Sequence, residues 1–429
     1  MDDARRIAAR VLNKCEAANG YSNIALDTAI KRSDLGEADR GLLTALVYGV
    51  LERRITLDAC IDGLCSGDPA DISFEVRTAL RLGIYQLAYM DRIPDHAAVN
   101  ESVAMVPRRA RGFVNAILRE FLRRGKAFSF PSSEADPVNY LSVRYSFDKS
   151  IAARFLNSFG IERTEALFDA FSKEPPLCIR VNTLRISRDA LLCAFRERGV
   201  KAEPTQRSIC GIRVLDKIPP TQLYGFEEGL FFVQDEASQL AVQAVDVKEG
   251  MRVLDCCACP GSKSFGLAID MNDRGSLLSC DLHANKLSLI ETGACRLGIS
   301  SIATMGADAR EFKEELASSF DRVLCDVPCS GFGVFAKKPE MRYKDATLCD
   351  ALPQIQTDIL ENVSRYVAKG GKLVYSTCTL LAAENVENVA AFLKRHGEFS
   401  LIEKTTLYPD TDGTDGFFFA VMEKETDRA

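Results

Sequence analysis

Two cysteines, Cys329 and Cys378, have the sequence surroundings expected of reactive thiols. Each comes shortly after an apolar run typical of a buried parallel strand, at 320–326 for the first and 372–376 for the second. In an open parallel sheet the carboxyl ends of the strands border the ligand crevice, so two separate strands would deliver both thiols to one place. Most cysteines are small buried hydrophobic residues, and this alternative stays open for both. Their position at strand ends favours covalent chemistry.

Two thiols beside an acid would suit the modification of a pyrimidine ring. A thiolate is the strongest nucleophile among side chains, and its addition to carbon 6 of a pyrimidine makes carbon 5 nucleophilic. Methylation of carbon 5 needs this activation, because an aromatic ring carbon otherwise barely reacts. Asp326 lies shortly before Cys329 and could hydrogen-bond N3 and the exocyclic amine of the base. The second thiol could then assist the release of the product.

The loop after the predicted strand at 252–256 has the composition of a cofactor-binding loop. Small residues and a glycine let a ligand approach the backbone, and the helix that follows offers free N–H groups. The loop is neither a Walker loop nor a Gly-x-Gly-x-x-Gly pattern, since it runs Cys256-Cys257-Ala258-Cys259-Pro260-Gly261-Ser262-Lys263. Cys256 and Cys259 have zinc-knuckle spacing, but no second Cys or His pair completes four ligands, so we expect no metal.

Two aspartates end the next two predicted strands. Asp281 follows the loop by roughly 20 residues, where a carboxylate can accept both hydroxyls of a ribose. An aspartate at this position can also cap a helix, and both roles can hold together. Asp308 could meet an adenine edge or merely cap. Taken in order on successive strand ends, these residues predict a nucleoside cofactor.

The elements that would position these residues fall into three segments. Residues 1–128 carry apolar residues at helical spacing, which predicts an all-α helical bundle. A polar, proline-containing linker at 129–138 separates the bundle from a small α/β insert at 139–235. Strand and helix patterns alternate over 236–429, which favours a parallel, doubly wound, Rossmann-like α/β domain. Its predicted strands lie at 252–256, 276–281, 301–305, 320–326, 372–376 and 416–422.

Positive charge is concentrated near the end of the predicted bundle, although the net charge of the chain is −6. Residues 108–126 contain one acid, Glu120, and seven basic residues: Arg108, Arg109, Arg111, Arg119, Arg123, Arg124 and Lys126. This cluster could bind a polyanion or form a solvated helix face, and both alternatives stay open. A second basic group consists of Lys337, Lys338 and Arg342. It could bind RNA phosphates or form a solvated turn.

The composition also bears on the cellular setting. A hydrophobic content of 47% and a charged content of 27% are ordinary for a soluble globular protein. No apolar stretch approaches the roughly 20 residues that span a bilayer, so we expect no membrane partner. Residues 1–6 do not have the pattern of a secretion signal, and the chain has 15 cysteines. We therefore expect a cytoplasmic protein with free thiols.

The motifs around the two cysteines resemble those of the Sun/NOP2 RNA cytosine-5 methyltransferases. Their order and spacing match over 236–429 in Cys257-Ala258-Cys259-Pro260-Gly261-Ser262-Lys263, Asp326-Val327-Pro328-Cys329-Ser330-Gly331 and Tyr375-Ser376-Thr377-Cys378. Gly416-Phe417-Phe418-Phe419 resembles the closing strand of that family. Residues 98–101 and 112–119 are similar to a NusB-like RNA-binding bundle. This pairing, with segments 180–183 and 233–238, resembles the bacterial 16S rRNA members of the family.

This resemblance implies an S-adenosylmethionine-dependent enzyme that methylates carbon 5 of a specific cytosine in 16S rRNA. It implies that Cys378 is the attacking nucleophile and that Cys329 assists product release, roles that spacing alone does not assign. Asp326 would act in catalysis and also help to hold the cofactor. The other cofactor-binding residues would be Cys257, Ala258, Cys259, Pro260, Gly261, Ser262, Lys263, Asp281 and Asp308. Cys259 and Ser262 stand where the family usually has Ala and Gly.

Other functions stay open at this point. Methylation of a cytosine in tRNA, in another RNA or in DNA is an alternative within the enzymes. A non-catalytic, NusB-like RNA-binding factor is an alternative of a different class. The pair of thiols and Asp326 argue against a pure binding protein, which needs no such group at a crevice. We expect a monomer that acts on 16S rRNA without a metal.

Overall fold

The computed structural model describes residues 4–18 and 22–426. Of the residues 1–6, for which the sequence predicts no secretion signal, residues 1–3 therefore lie outside the described residues. The chain divides into two compact units, one of Met1–Ser172 with Phe335–Thr347 and one of Lys173–Val334 with Leu348–Ala429. We call them unit 1 and unit 2. Within the described ranges, no helix is both long enough and apolar enough to cross a membrane.

Unit 1 is built from helices, as the periodicity over residues 1–128 predicts, but it also contains the helices at 137–171, most of which lie in the segment predicted as the α/β insert. In α3 the buried side chains of Leu43, Leu46, Val47 and Val50 recur at helical spacing and form one face of the core. Its helices are α1 (Ala4–Ala18), α2 (Ser22–Lys31), α3 (Glu37–Glu52), α4 (Arg54–Leu64), α5 (Phe74–Tyr89), α6 (Asp95–Ala104), α7 (Arg108–Arg123), α8 (Pro137–Tyr145) and α9 (Lys149–Phe171).

The segment Phe335–Thr347 completes the core of unit 1 although it comes late in the chain. Phe335 packs edge-on against Phe147, with ring centroids 4.9 Å apart. The guanidinium of Arg342 is buried and donates to the carbonyls of the last residues of three helices: Phe171 (2.6 Å), Glu52 (3.2 Å) and Tyr145 (3.4 Å). Both interpretations of Arg342 as a phosphate grip or a solvated turn are therefore wrong, because helix-end carbonyls already engage it.

Unit 2 begins with a four-stranded antiparallel sheet in the order β2-β3-β1-β4. The predicted α/β insert agrees with it in class, but its last strand was not predicted, because three residues are too few to show a pattern. Its elements are β1 (Leu177–Val181), α10 (Arg188–Glu197), β2 (Ala202–Pro204), β3 (Gly211–Val214) and β4 (Phe231–Val233).

A seven-stranded sheet forms the rest of unit 2, in the order β10-β11-β9-β8-β5-β6-β7. Its strands are β5 (Arg252–Asp255), β6 (Ser276–Asp281), β7 (Ile302–Gly306), β8 (Phe320–Asp326), β9 (Val367–Thr377), β10 (Phe399–Leu407) and β11 (Phe417–Lys424). The helices are α11 (Glu236–Ala244), α12 (Ser262–Asp270), α13 (Leu287–Leu297), α14 (Leu352–Val363), α15 (Val386–Arg395) and α16 (Pro409–Asp412).

The doubly wound domain is confirmed, but its sheet is mixed rather than wholly parallel. Strands β5 to β9 pair in parallel, whereas β11 pairs antiparallel with both β9 and β10. Strand β10 was not predicted, because it is an edge strand whose side chains are mostly exposed and polar.

The strand order places a topological switch point between β5 and β8. The chain passes from β5 to β6 and β7 on one side, then crosses to β8 and β9 on the other. In such sheets the ligand crevice lies outside the carboxyl ends of the strands at this point. The loops that follow β5 and β8 are those that carry the predicted cofactor and cysteine motifs.

Candidate active site

The structure brings the two predicted thiols into contact. Asp326 of β8 is in register with Ser376 of β9, and each cysteine follows its strand within three residues. The sulfur atoms of Cys329 and Cys378 lie 3.3 Å apart, and both side chains are partly exposed. Two strands far apart in sequence therefore deliver a pair of thiols that one small substrate could reach at the same time.

Cys329 is held in its protonated form. Its hydrogen bond with Cys378, its burial and the nearby charge of Cys378, Glu384 and Asp326 raise the pKa of the Cys329 thiol well above its usual value. A thiol that keeps its proton can donate a hydrogen bond to a neighbouring sulfur. The pair is thus suited to carry one proton between two sulfur atoms.

Asp326 forms a partly buried ion pair with Lys263 of the cofactor loop. The Lys263 Nζ lies 2.6 Å from Oδ2 of Asp326, and the Ser376 hydroxyl donates to Oδ1 at 2.7 Å. Burial lowers the pKa of Lys263, but the Asp326 carboxylate outweighs it and the pKa is raised overall. Lys263 is therefore a cation that orients the carboxylate beside the thiols, a partnership that the sequence did not indicate.

The predicted cofactor loop is a tight turn between β5 and α12. Gly261 has a φ of 111°, and a Cβ there would lie 2.6 Å from the Phe265 ring, so only glycine fits. Helix α12 begins at the next residue, Ser262, which leaves its first N–H groups at the end of the loop. A close backbone turn that leads into a helix N-terminus fits an anionic group of a nucleoside cofactor.

Asp281 and Asp308 lie at the next two strand ends, as predicted, but in different settings. The Asp281 carboxylate accepts the backbone N–H of Cys259 (3.1 Å) and of His283 (2.9 Å), which ties the loop to β6. Asp308 accepts the backbone N–H and the guanidinium of Arg310, which lowers the pKa of Asp308. Asp281 thus supports the loop, whereas the carboxylate of Asp308 is already engaged by an arginine.

Cys259, one of the two unusual loop residues, is not a reactive thiol. Burial, together with the charge and hydrogen bond of Asp281, raises the pKa of Cys259 to about 11. The thiol therefore stays neutral near pH 7. Across the described ranges, no group of three or more His, Cys, Asp or Glu side chains is arranged to hold a metal ion.

Comparisons with known proteins show the family of the chain. Three family models match: 16S rRNA methyltransferase RsmB/F over residues 242–423, the NusB family over 2–123, and the RsmF/B-like ferredoxin-like domain over 149–220. The "Probable ribosomal RNA small subunit methyltransferase B" of Bacillus subtilis (strain 168) is 36% identical over 98% of both chains. The chain belongs to the RsmB/F family of 16S rRNA methyltransferases. It is therefore an RNA methyltransferase.

Solved structures share the architecture of this RsmB/F family member. The crystal structure of PH0851 superposes with a TM-score of 0.80 and 25% identity, and covers 99% of both chains. A methyltransferase homolog protein from Pyrococcus horikoshii superposes with a TM-score of 0.59 and 26% identity, over 68% of this chain and 99% of its own. The similarity thus extends over both units.

The basic cluster of this RsmB/F protein lies on α7, inside the segment matched by the NusB model. The helix buries Val114, Ile117, Leu118 and Phe121 and exposes its arginines on the other face. Glu120 pairs with both Arg123 and Arg124, and these hydrogen bonds lower the pKa of Glu120 to about 2. The exposed Arg108 and Arg109, at the start of the helix, have no acid opposite them on α7.

Two carboxylates near the site were missed from the sequence. Asp255 ends β5 and is fully buried, where it accepts the Ser264 hydroxyl at 2.7 Å. Burial, the largest cause, raises the pKa of Asp255 to about 7. Glu384 is buried behind the Cys329 loop. The position of Asp255 at a strand end was a usable signal, whereas Glu384 stands in a sequence that resembles an ordinary helix start.

Proposed function

We propose that this RsmB/F-family protein transfers a methyl group from S-adenosylmethionine to carbon 5 of a cytosine in 16S rRNA through a covalent cysteine–pyrimidine adduct. The observation that carries the proposal is the 3.3 Å separation between the sulfur atoms of Cys329 and Cys378, beside the Lys263–Asp326 ion pair. Covalent activation of a pyrimidine and its release need two proton-handling groups at one ring edge, and a thiol pair of this kind supplies them.

In the proposed reaction Cys378 attacks and Cys329 keeps its proton. The first cause of the raised pKa of Cys329 is its hydrogen bond with Cys378, so in this scheme Cys329 holds the proton of the pair while Cys378 attacks, as the family resemblance implies. The Cys378 sulfur adds to carbon 6, and carbon 5 becomes the nucleophile that takes the methyl group. A solvent water then takes the carbon-5 proton, the C–H electron pair forms the double bond between carbons 5 and 6, and the C–S bond breaks so that its electron pair returns to Cys378. The Cys329 S–H hydrogen-bonds the departing thiolate and so assists release.

Asp326 is the proposed contact to the base. The carboxylate can accept hydrogen bonds from the exocyclic amine and from N3 once N3 has taken a proton from water. The positive charge at N3 draws electrons from the ring, and the carboxylate stabilises that charge at the moment of attack. Lys263 and Ser376 hold the two oxygens of Asp326, so the carboxylate is oriented before the base arrives. Because a single cytosine must reach this partly buried group, we propose that the target base leaves its stack.

The proposed cofactor site is the loop at 257–263 with Asp281, Asp308 and Asp326. The turn at Gly261, the start of α12 and the Asp281 carboxylate fit a nucleoside with a charged tail. When bound, S-adenosylmethionine supplies an electrophilic methyl group. Asp281 is the proposed partner of the ribose hydroxyls, and the Arg310 contact makes Asp308 the weaker candidate for a direct contact.

The proposal also assigns tasks along the chain. Residues 1–128 would bind RNA, 139–235 would position it and 236–429 would perform the chemistry. We propose that the protein acts as a monomer in the cytoplasm. The match of the NusB model and the exposed arginines of α7 support the first of these assignments.

Replacement of each cysteine tests the proposed mechanism. The Cys378→Ala variant should lose methyl transfer to 16S rRNA, because no adduct can form. The Cys329→Ala variant should accumulate a covalent protein–RNA adduct, visible as a shifted band on a denaturing gel. Cys295→Ala is the matched control, because this exposed cysteine lies on α13 and is not part of the thiol pair. Retained turnover in Cys378→Ala would refute the nucleophile assignment.

Nucleoside mapping tests the substrate. Comparison of 5-methylcytidine in rRNA with and without the protein should reveal one cytosine of 16S rRNA that depends on it. A dependent position in tRNA or another RNA would instead support the alternative enzyme. No dependent position, together with intact RNA binding, would support a non-catalytic RNA-binding factor.

A further inference from the structure

A buried glutamate lies behind the turn that carries Cys329. Glu384 ends a short 3-10 turn (Ala382–Glu384) between β9 and α15, and its side chain is only 1% exposed. Its Oε2 accepts two hydrogen bonds, from the backbone N–H of Ser330 at 2.9 Å and from Nε2 of Gln356 at 2.8 Å. Its Oε1 has no donor among the residues that the structure describes. A buried carboxylate with few hydrogen bonds raises the free energy of the folded state. We therefore take the two hydrogen bonds that it does accept as important for the local structure.

The two donors hold both sides of Cys329. Ser330, the residue after Cys329, donates directly to Glu384. The same Gln356 amide that donates to Glu384 also donates to the carbonyl of Pro328, the residue before Cys329, at 3.0 Å. Glu384 and Gln356 therefore hold the turn 328–330 at its two ends and leave the Cys329 side chain to project from the middle.

The same carboxylate is joined to the segment that carries Cys378. Glu384 lies six residues after Cys378, and its backbone carbonyl accepts the Tyr375 hydroxyl at 2.6 Å, just before that cysteine. The Ser330 hydroxyl bonds the Thr379 hydroxyl at 2.8 Å, and the N–H of Gly333 bonds the carbonyl of Cys378 at 2.9 Å. The two cysteine segments are thus connected through buried hydrogen bonds in which Glu384 takes part on both sides.

We propose that Glu384 is a positioning residue whose buried carboxylate fixes the turn at 328–330 and thereby sets the separation of the Cys329 and Cys378 sulfur atoms. Its catalytic consequence rests on the proposed function, whereas its geometric consequence does not. The negative charge of Glu384 also contributes to the raised pKa of Cys329, alongside Cys378 and Asp326. Glu384 touches no substrate atom in this scheme, since it acts through Cys329.

The proposal predicts a specific kinetic defect. Without the Glu384 carboxylate the 328–330 turn could move. The S–H group of Cys329 would then lie too far from the departing Cys378 sulfur to donate a hydrogen bond to it. Displacements of about 1 Å at a reacting group cost about 100-fold in rate. We expect the kcat of Glu384→Ala to fall about 10- to 100-fold with KM unchanged, and the covalent RNA adduct to accumulate as in Cys329→Ala. Glu384→Gln should recover part of the rate, because its amide oxygen can still accept the Ser330 N–H.

A disulfide-trapping experiment on the full chain without RNA tests the geometry apart from methylation. Diamide oxidises two neighbouring thiols to a disulfide and takes up their two hydrogens and two electrons to become a hydrazine. Peptide mass spectrometry then measures the rate at which the Cys329–Cys378 disulfide forms. We expect this rate in Glu384→Ala to be lower by a factor of about ten or more, and lower to a smaller extent in Glu384→Gln. Glu387→Gln, an exposed glutamate on the next helix, should couple like the unsubstituted protein.

The outcomes separate this proposal from the proposed function. If Glu384→Ala is folded and forms the disulfide as fast as the unsubstituted protein, the positioning role is refuted, whatever the activity. If disulfide formation slows but the unsubstituted protein does not methylate RNA, the positioning role stands and the proposed function fails. Should Glu384→Ala not fold, Gln356→Ala takes its place, because it removes the donor shared by Glu384 and Pro328. Unchanged coupling in both that variant and Glu384→Gln would equally refute the proposal.

Discussion

Replacement of Asp255 by asparagine should raise the free energy of unfolding of unit 2, relative to the unsubstituted protein, more and more as the pH rises. Asp255 is fully buried, and burial raises its pKa from 3.8 to about 7. The folded protein therefore keeps this proton in a pH range where the unfolded chain has lost it. Below pH 3.8 both states are protonated and Asp255 contributes no pH-dependent term. As the pH rises from about 4 to about 7, the unfolded state binds fewer protons than the folded state, so the free energy of unfolding falls.

The size of this effect follows from the two pKa values. Each pH unit between 3.8 and about 7 removes about 1.4 kcal/mol, which amounts to about 4 kcal/mol in all. Roughly 3 kcal/mol of this loss falls between pH 5 and pH 8. Asparagine does not titrate, so it abolishes this part. Its amide leaves one buried polar group near the position of Oδ1, which has no partner within the described ranges, but that cost of about 1–3 kcal/mol is the same at every pH.

Differential scanning calorimetry of the full chain at pH 5, 6, 7 and 8 measures this change. The melting temperature of Asp255→Asn minus that of the unsubstituted protein should increase by about 6–12 °C from pH 5 to pH 8, at 2–4 °C per kcal/mol. Asp189→Asn, an exposed aspartate on α10, should show no such trend. A difference that is constant with pH, or that grows towards pH 5, would refute a buried Asp255 with a raised pKa.

Two further predictions concern unit 1. The double variant Arg108→Glu/Arg109→Glu should bind 16S rRNA more weakly, and the slope of log affinity against log salt should fall by about 0.7–0.9 for each lost phosphate contact, measured by filter binding. Arg123→Glu/Arg124→Glu should have a smaller effect, because Glu120 already neutralises part of that charge. The Arg342→Met variant should lower the free energy of unfolding of unit 1 by about 3–5 kcal/mol, measured by thermal denaturation, because three helix-end carbonyls lose a charged donor.

Each of these predictions has an outcome that contradicts it. Equal affinity and equal salt slope in Arg108→Glu/Arg109→Glu would assign the α7 cluster to a solvated helix face. For Arg342, the matched control is Lys338→Met, an exposed residue of the same segment. A melting temperature of Arg342→Met equal to that of Lys338→Met would mean that the buried guanidinium adds nothing to the stability of unit 1.

Local patterns were sufficient to predict the chemical groups and the strand ends that carry them. The apolar runs before Cys329 and Cys378 and the loop after β5 depend on neighbours in the sequence, and the structure has them where the patterns indicate. Periodicity likewise predicts the helices of unit 1 within residues 1–128 and the alternation in unit 2, whereas the assignment of α8 and α9 to unit 1 was not predicted. The edge strand β10 was not predicted, because its polar, exposed residues show no apolar run or alternation.

Only the tertiary structure decided which of these groups meet. The contact between the two sulfur atoms depends on the register of β8 and β9, which pair residues about 50 positions apart. Lys263 pairs with Asp326, and Glu384 accepts the backbone N–H of Ser330, because the crossovers of the sheet bring separate loops to one edge. Arg342 has the sequence of a surface turn but lies in a core, since burial is set by packing over the whole unit. The sequence by itself determined the reactive groups, and long-range pairing and burial determined their separations and their proton affinities.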